Sequence, residues 1–229
     1  MSGAKIIIDN NDMIIVQKPV GPFQMNQYFL GCKHTKDAAF IDSGEDPKLF
    51  FESYTAKGGY SVKHLIQTHA HIDHVAGLCP TKRTYPDAPI YMHKSDLPVY
   101  NSCIQTAAMY GFDLETPLPK IDTFVQDGDF VRVGNIKLNI LFTPGHCPGH
   151  CVYYYNHPTE ALAFVGDLIF RGSVGRTDLP LCSPDDMQKS VVRVIREFPA
   201  DVLLLPGHMD VTTVGEEIAH NPFVGQWLG

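Results

Sequence analysis

Apolar and polar residues alternate at a period of two over short stretches of this chain, each stretch closed by a turn residue, while a few longer segments keep helical spacing. Residues 6–16, 26–31 and 38–42 read as successive strands, with turn signals at Asn10-Asn11 and Gly21-Pro22. Residues 47–57 read as a helix stopped by Gly58-Gly59. A strand over 62–67 follows, then a short strand at 90–93 and a helix over 96–110, with Ser95 as its cap and Pro98 near its start. Residues 124–128, 129–133 and 137–142 form a hairpin-like run broken at Asp127-Gly128 and Gly134-Asn135, and 151–155 is a further strand. Buried-strand patterns recur at 161–165 and 202–205. Ser183 caps a last helix with Pro184 at its first position. Met187, Val191, Val194, Ile195 and Phe198 hold helical spacing on one face of it, a stripe that core burial explains. Strands, helix, strands and helix in two comparable halves suit an α/β fold built as a four-layer αβ/βα sandwich.

Four of the apolar runs end alike, in a Gly, Pro or Thr followed by His or Asp. The run at 62–67 leads into Thr68-His69-Ala70-His71-Ile72-Asp73-His74, the run at 136–142 into Thr143-Pro144-Gly145-His146, the run at 161–165 into Gly166-Asp167, and the run at 202–205 into Pro206-Gly207-His208. In an extended segment His69 and His71 point the same way and can grip one ion. Asp73 and His74 fall where the chain turns into Val75-Ala76-Gly77-Leu78, the first turn of a helix, and can hold a second ion close by. The C-terminal ends of strands in one sheet layer share an edge, so these seven residues can converge. A polar loop with scattered histidines would account for any one of them, but four ligand-type residues within six positions point to metal.

This ordered set resembles the metallo-β-lactamase superfamily over residues 69–208, and most closely its short-form, glyoxalase II-like hydrolases. Thr143-Pro144-Gly145-His146, Gly166-Asp167-Leu168-Ile169-Phe170, Gly172-Ser173-Val174-Gly175-Arg176-Thr177-Asp178 and His220-Asn221-Pro222-Phe223 carry that likeness. The resemblance implies a first metal on His69, His71 and His146, a second on Asp73, His74 and His208, and Asp167 bridging them. It implies two divalent ions, zinc foremost with iron or manganese as alternatives. A hydroxide shared by the two ions would then cleave a thioester such as S-lactoylglutathione, with Asp73 and Asp167 as the catalytic carboxylates. Arg176 is similar to the cation with which glutathione-handling relatives hold substrate, a salt bridge to Asp178 being the alternative. Asp42 is a candidate for orienting a ligand histidine. Tyr100, Met109 and Tyr110 are candidates for a lid, or for core packing. Two other readings stay open: a mono-iron persulfide dioxygenase using His69, His146 and Asp167, which shares the Gly175-Arg176-Thr177-Asp178 segment, and a non-catalytic metal-binding module.

Composition narrows the partners. With 44% hydrophobic residues, 229 residues can bury one large core, so 1–229 is expected to form a single domain. The resemblance implies that this domain is metallo-β-lactamase-like, and with only 21 residues after His208 it is expected to lack the C-terminal helical glutathione-binding domain of full-length glyoxalase II. The 25 acidic against 18 basic residues give a formal charge of −7, and no Lys/Arg block offsets it, so no nucleic-acid partner is expected. No stretch approaches the ~20 apolar residues that span a bilayer, and the start lacks a leader pattern, so no membrane partner and a cytoplasmic location are expected. The expected partner is a small-molecule thioester, including a glutathione conjugate. The six cysteines contain no CxxC pair and read as reduced, partly buried thiols, with Cys147 and Cys151 flanking the His146 segment.

Overall fold

Met13 and Ile15 turn to one apolar core while Ile14 and Val16, between and beside them, turn to another, and all four are buried. A strand apolar on both faces belongs in a sheet covered on both sides. The computed structural model, which describes residues 4–45, 51–111, 114–157 and 160–229, places that strand, β2 (Met13–Val20), beside β1 (Lys5–Asp9) and β3 (Met25–Cys32). β4 (Asp37–Ile41), β5 (Ser61–Ile66), β6 (Ile90–His93) and β7 (Thr123–Val125) complete a seven-stranded sheet in chain order. Its pairing is antiparallel as far as β4 and parallel from β4 to β7.

The second sheet comprises β8 (Phe130–Val133), β9 (Ile136–Phe142), β10 (Cys151–His157), β11 (Glu160–Gly166), β14 (Leu203–Pro206) and β15 (Thr212–Thr213), in the order β15-β14-β11-β10-β9-β8. β12 (Ile169–Phe170) and β13 (Ser173–Val174) form a small separate pair. Between the sheets, Met13, Leu30 and Ile41 meet Leu138, Tyr153 and Phe164. Outside the first sheet lie α1 (Ile72–Val75), α2 (Leu78–Thr84) and α3 (Leu97–Tyr110), packed on Phe40, Ile90 and Met92. Outside the second lies α4 (Pro184–Glu197), followed in the chain by α5 (Val214–His220) and α6 (Pro222–Leu228). Three cores separating helix, sheet, sheet and helix make the expected four-layer sandwich.

In α4, Met187, Val191, Val194 and Ile195 are buried against Leu141, Val152 and Val165, each contributing about 1.5–3 kcal/mol relative to exposure. Ser183 caps this helix, its hydroxyl accepting from Asp186 N at 3.2 Å. Ser183→Ala should lower unfolding stability by about 1 kcal/mol in a urea titration, an effect confined to the cap.

Two details differ from the pattern reading. The stretch 124–142 is not one hairpin: β7 pairs in parallel with β6, Met92 facing Phe124, and only β8 and β9 form a hairpin. The chain crosses between sheets through residues 126–129, where Gln126 N donates to Asp129 Oδ2 and Gly128 N to Ile140 O. Of the helix expected over 47–57, residues 47–50 lie outside the described residues, and 52–59 form turns.

Candidate metal centre

β9, β11 and β14 run in the same direction, because β10 pairs antiparallel with both β9 and β11 while β11 pairs parallel with β14. Their C-terminal ends therefore deliver His146, Asp167 and His208 to one edge. Across from them β5 ends at Ile66, and the chain runs through His69 into the single turn of α1, for which His71 is the extended N-cap residue, at φ −64° and ψ 152°.

All seven expected ligand residues come together. The ring centroids of His69, His71 and His146 form a triangle, 4.9 Å from His69 to each of the others and 4.5 Å between His71 and His146. His71 Nδ1 lies 2.8 Å from His146 Nε2. Beside this trio, Asp73 Oδ2 is 3.2 Å from His208 Nε2 and 3.7 Å from His74 Nε2. Asp167 reaches both groups, with Oδ1 at 3.4 Å from His74 Nε2, and Oδ2 at 3.4 Å from both His146 Nε2 and His208 Nε2.

The outward ring nitrogens are engaged elsewhere. His74 Nδ1 meets Asp42 Oδ2 at 2.9 Å, His69 Nδ1 meets Thr68 Oγ1 at 3.1 Å, His146 Nδ1 meets Arg176 O at 2.8 Å, and His208 Nδ1 meets Phe23 O at 3.1 Å. His71 turns Nε2 to the Cys147 thiol at 3.5 Å, so that Cys147 too comes within 4.8 Å of ligand atoms of His69 and His71. Inside the cluster, His69 Nε2, His74 Nε2 and Asp167 Oδ1 are buried without a hydrogen-bond partner. Buried polar atoms left unpaired are costly, and inward-facing imidazole and carboxylate atoms are what a divalent ion takes up. The residues present fit a metal. Among the described residues His69, His74 and Asp167 form one candidate ligand group, and Asp73, His74 and His208 another.

Burial and neighbouring charge divide the histidines into two sets. Burial pushes His69 well below its ordinary pKa, His71 down to about 3, and His146 downward, so these imidazoles are neutral, as ligation requires. Burial also opposes charge on His74 and His208, but the carboxylates of Asp167, Asp42 and Asp73 around His74 outweigh it, and Asp167 and Asp73 hold His208 up at about 9. Burial works against ionising Asp73 and Asp167, yet His74 and His208 hold both carboxyls below the usual range. Close approach depends on glycine at two points: a Cβ on Gly207 would overlap Asp167 Oδ1, and one on Gly175 would overlap Asp167 O.

Two buried residues absent from the sequence reading brace the cluster. Asp96 Oδ2 accepts from Ala70 N at 2.8 Å and Oδ1 accepts from Gly149 N, tying the His69–His71 segment to the His146 loop. His150 Nε2 accepts from Asp167 N at 3.2 Å, so Nδ1 carries the proton and donates to Thr143 Oγ1 at 2.8 Å. The repeat Pro-Gly-His at 144–146 and 148–150 was the one available signal for His150. Asp42 stands where expected, buried and at φ 57°. Tyr110 lines the cavity over the cluster, Tyr100 packs in the helix-side core, and Met109 is exposed. Arg176 lines the same cavity, but its guanidinium is paired in bidentate fashion with Asp178, at 2.6 and 2.9 Å. All six cysteines are free thiols.

A sequence profile described as the metallo-beta-lactamase superfamily matches residues 20–208. The chain belongs to that superfamily. A relative in Aquifex aeolicus (strain VF5), itself uncharacterized, is 38% identical over 94% of this chain and 99% of its own length. The hydroxyacylglutathione hydrolase GloC of Haemophilus influenzae is 29% identical over 90% of this chain and 95% of its own. Among solved structures, TTHA1623 in a di-iron-bound form superposes with a TM-score of 0.77 at 33% identity, covering 90% of this chain and 98% of that one. The B3 metallo-beta-lactamase BLEG-1 superposes at 0.78 with 30% identity, covering 92% and 99%. Members of the superfamily are typically hydrolytic enzymes whose fold binds divalent metals, and His/Asp clusters that could hold an ion stand here at the strand ends. No helix among the described residues is long and apolar enough to cross a membrane.

Proposed function

We propose that the chain is a metal-dependent thioester hydrolase acting through two divalent ions. The observation that carries this reading is the set of buried, unpartnered ligand atoms of His69, His74 and Asp167, in a cluster whose His71, Asp73, His146, Asp167 and His208 line a cavity of about 340 Å³. His69, His71 and His146 would hold one ion, Asp73, His74 and His208 the other, with Asp167 shared. When bound, such ions polarise a carbonyl and acidify water. Asp73 and Asp167 are the carboxylates lining the cavity. Ionised beside His74 and His208, Asp73 is placed to accept a proton from water and orient it. Hydrolysis adds water across the C–S bond: the water oxygen joins the acyl carbon, one proton goes to the departing sulfur, and the acid leaves as carboxylate with release of the second proton. The name carried by the Haemophilus influenzae relative supports a thioester over other acyl substrates.

The test pairs metal analysis of the purified protein with a thioester panel that includes S-lactoylglutathione. Expected are about two metals per chain, turnover abolished by chelation, and restoration on adding back zinc, iron or manganese. One iron per chain, no thioester cleavage and oxygen uptake with glutathione persulfide would replace this reading by the dioxygenase. Ring opening of a β-lactam faster than any thioester would replace it by a lactamase.

A further inference from the structure

The cavity above the metal centre is walled by Phe23, Tyr110, Phe170, Val174, Leu179 and Met209. The turn bearing Phe23 and the C-terminal end of α3 bearing Tyr110 meet edge to face over it, ring centroids 5.8 Å apart. Since Phe23 O also accepts from His208 Nδ1, this apolar wall is tied to the floor of the site. Met209 is 57% exposed at the mouth and sits at φ 67°, a conformation that favours glycine, while Asn26 Nδ2 holds its carbonyl at 2.7 Å. A strained backbone that presents a large apolar side chain to solvent beside a reactive centre has its use in contact with a ligand.

Away from the metal ligands, the polar side of the cavity is poor in charge that an anionic substrate could use. Arg176 is the one Lys or Arg among the described lining residues, and Asp178 takes the Nε–Nη2 side of its fork and neutralises its charge. A substrate carboxylate at the remaining Nη1 side would meet a guanidinium already paired with Asp178 and stand close to that acid, with little net gain at an exposed site. Glutathione carries two carboxylates and an ammonium group, and the described lining residues offer it no second Lys or Arg.

Resting on the thioesterase reading, we propose that this cavity selects thioesters with an apolar acyl chain and an uncharged thiol, in preference to glutathione conjugates. The acyl chain lies along Phe23, Tyr110, Leu179 and Met209, and an uncharged thiol avoids desolvating carboxylates that find no partner.

The experiment uses the metal-loaded full chain and four substrates: the hexanoyl and lactoyl thioesters of N-acetylcysteamine and of glutathione. The expected kcat/KM for hexanoyl-N-acetylcysteamine exceeds that for S-lactoylglutathione by about tenfold or more, the worth of a few buried methylenes. Met209→Ser, a change at an exposed position, narrows the hexanoyl-to-lactoyl ratio about fivefold through KM, and Leu179→Arg moves the preference toward glutathione esters. Calorimetry with the unreactive thioethers S-hexyl-N-acetylcysteamine and S-hexylglutathione gives the same order without turnover. S-lactoylglutathione as the equal or better substrate, or S-hexylglutathione as the tighter ligand, overturns the selectivity. Failure to hydrolyse any of the four with metal bound removes the thioesterase reading instead, and the calorimetric order then decides the cavity's preference by itself.

Discussion

An Asp167→Asn protein will fold with its sheets intact, bind about one metal or fewer per chain, and hydrolyse the proposed thioester substrate roughly a thousandfold more slowly, the several kcal/mol that a metal centre supplies to such a reaction. The size of the effect follows from position. Asp167 is the residue whose carboxylate stands 3.4 Å from ring nitrogens of both histidine groups, His146 on one side and His74 and His208 on the other. Asparagine keeps the shape but offers a single acceptor oxygen and an NH2 group, which must point at a histidine nitrogen or at an ion. The backbone is held independently, because Asp167 N donates to His150 Nε2 and Gly175 N to Leu168 O, so misfolding is not the expected outcome. Metal per folded chain, checked against circular dichroism, separates loss of ligation from loss of structure. Full metal content with more than a tenth of normal kcat/KM would remove Asp167 from the centre.

The strands and their ends were legible in the sequence because each sheet face packs a core of its own. Ile14 and Val16 against Met13 and Ile15 is the plainest instance, and the same alternation recurs at Ile136, Leu138 and Ile140 before His146. Ligands at strand ends were legible for a related reason: the ladder stops at a Gly, Pro or Thr, and the next side chain stands on the edge of the sheet. Sheet membership was not legible. Asp127-Gly128 announces a turn but carries no information about which sheet receives the strands on either side, so β7 was assigned to the wrong partner. Asp96 was hidden differently. An acid at a helix start reads as a local cap, yet this one makes no side-chain cap bond and spends its oxygens on Ala70 N and Gly149 N, on segments far away in sequence. Arg176 shows the same limit: two residues of separation from Asp178 allowed either a free or a paired guanidinium, and only the three-dimensional structure displays the pair.

Asp42→Asn will leave the fold in place and weaken metal affinity 10–100-fold, although Asp42 is expected to touch neither metal nor substrate. Its Oδ1 accepts from Thr68 N at 2.8 Å, and its Oδ2 accepts from Thr68 Oγ1 at 2.8 Å and faces His74 Nδ1 at 2.9 Å. The backbone at φ 57° suits asparagine as well as aspartate, so the substitution adds no strain. With the amide oxygen kept on Thr68 N, the new NH2 faces His74 Nδ1 and demands an acceptor there. His74 then carries its proton on Nε2, the atom that faces Asp73 and Asp167 and that an ion must find bare. Thr68 Oγ1 loses its acceptor as well and must turn its proton toward His69 Nδ1, at 3.1 Å, which drives His69 to the same wrong tautomer. Both groups of ligands are thus disturbed through one buried carboxylate. Competition against a chelator of known affinity measures the loss, and kcat/KM at saturating metal should recover most of the normal rate. A variant whose affinity stays within about twofold of the parent would show that Asp42 braces the Thr68 turn without setting the state of the histidines.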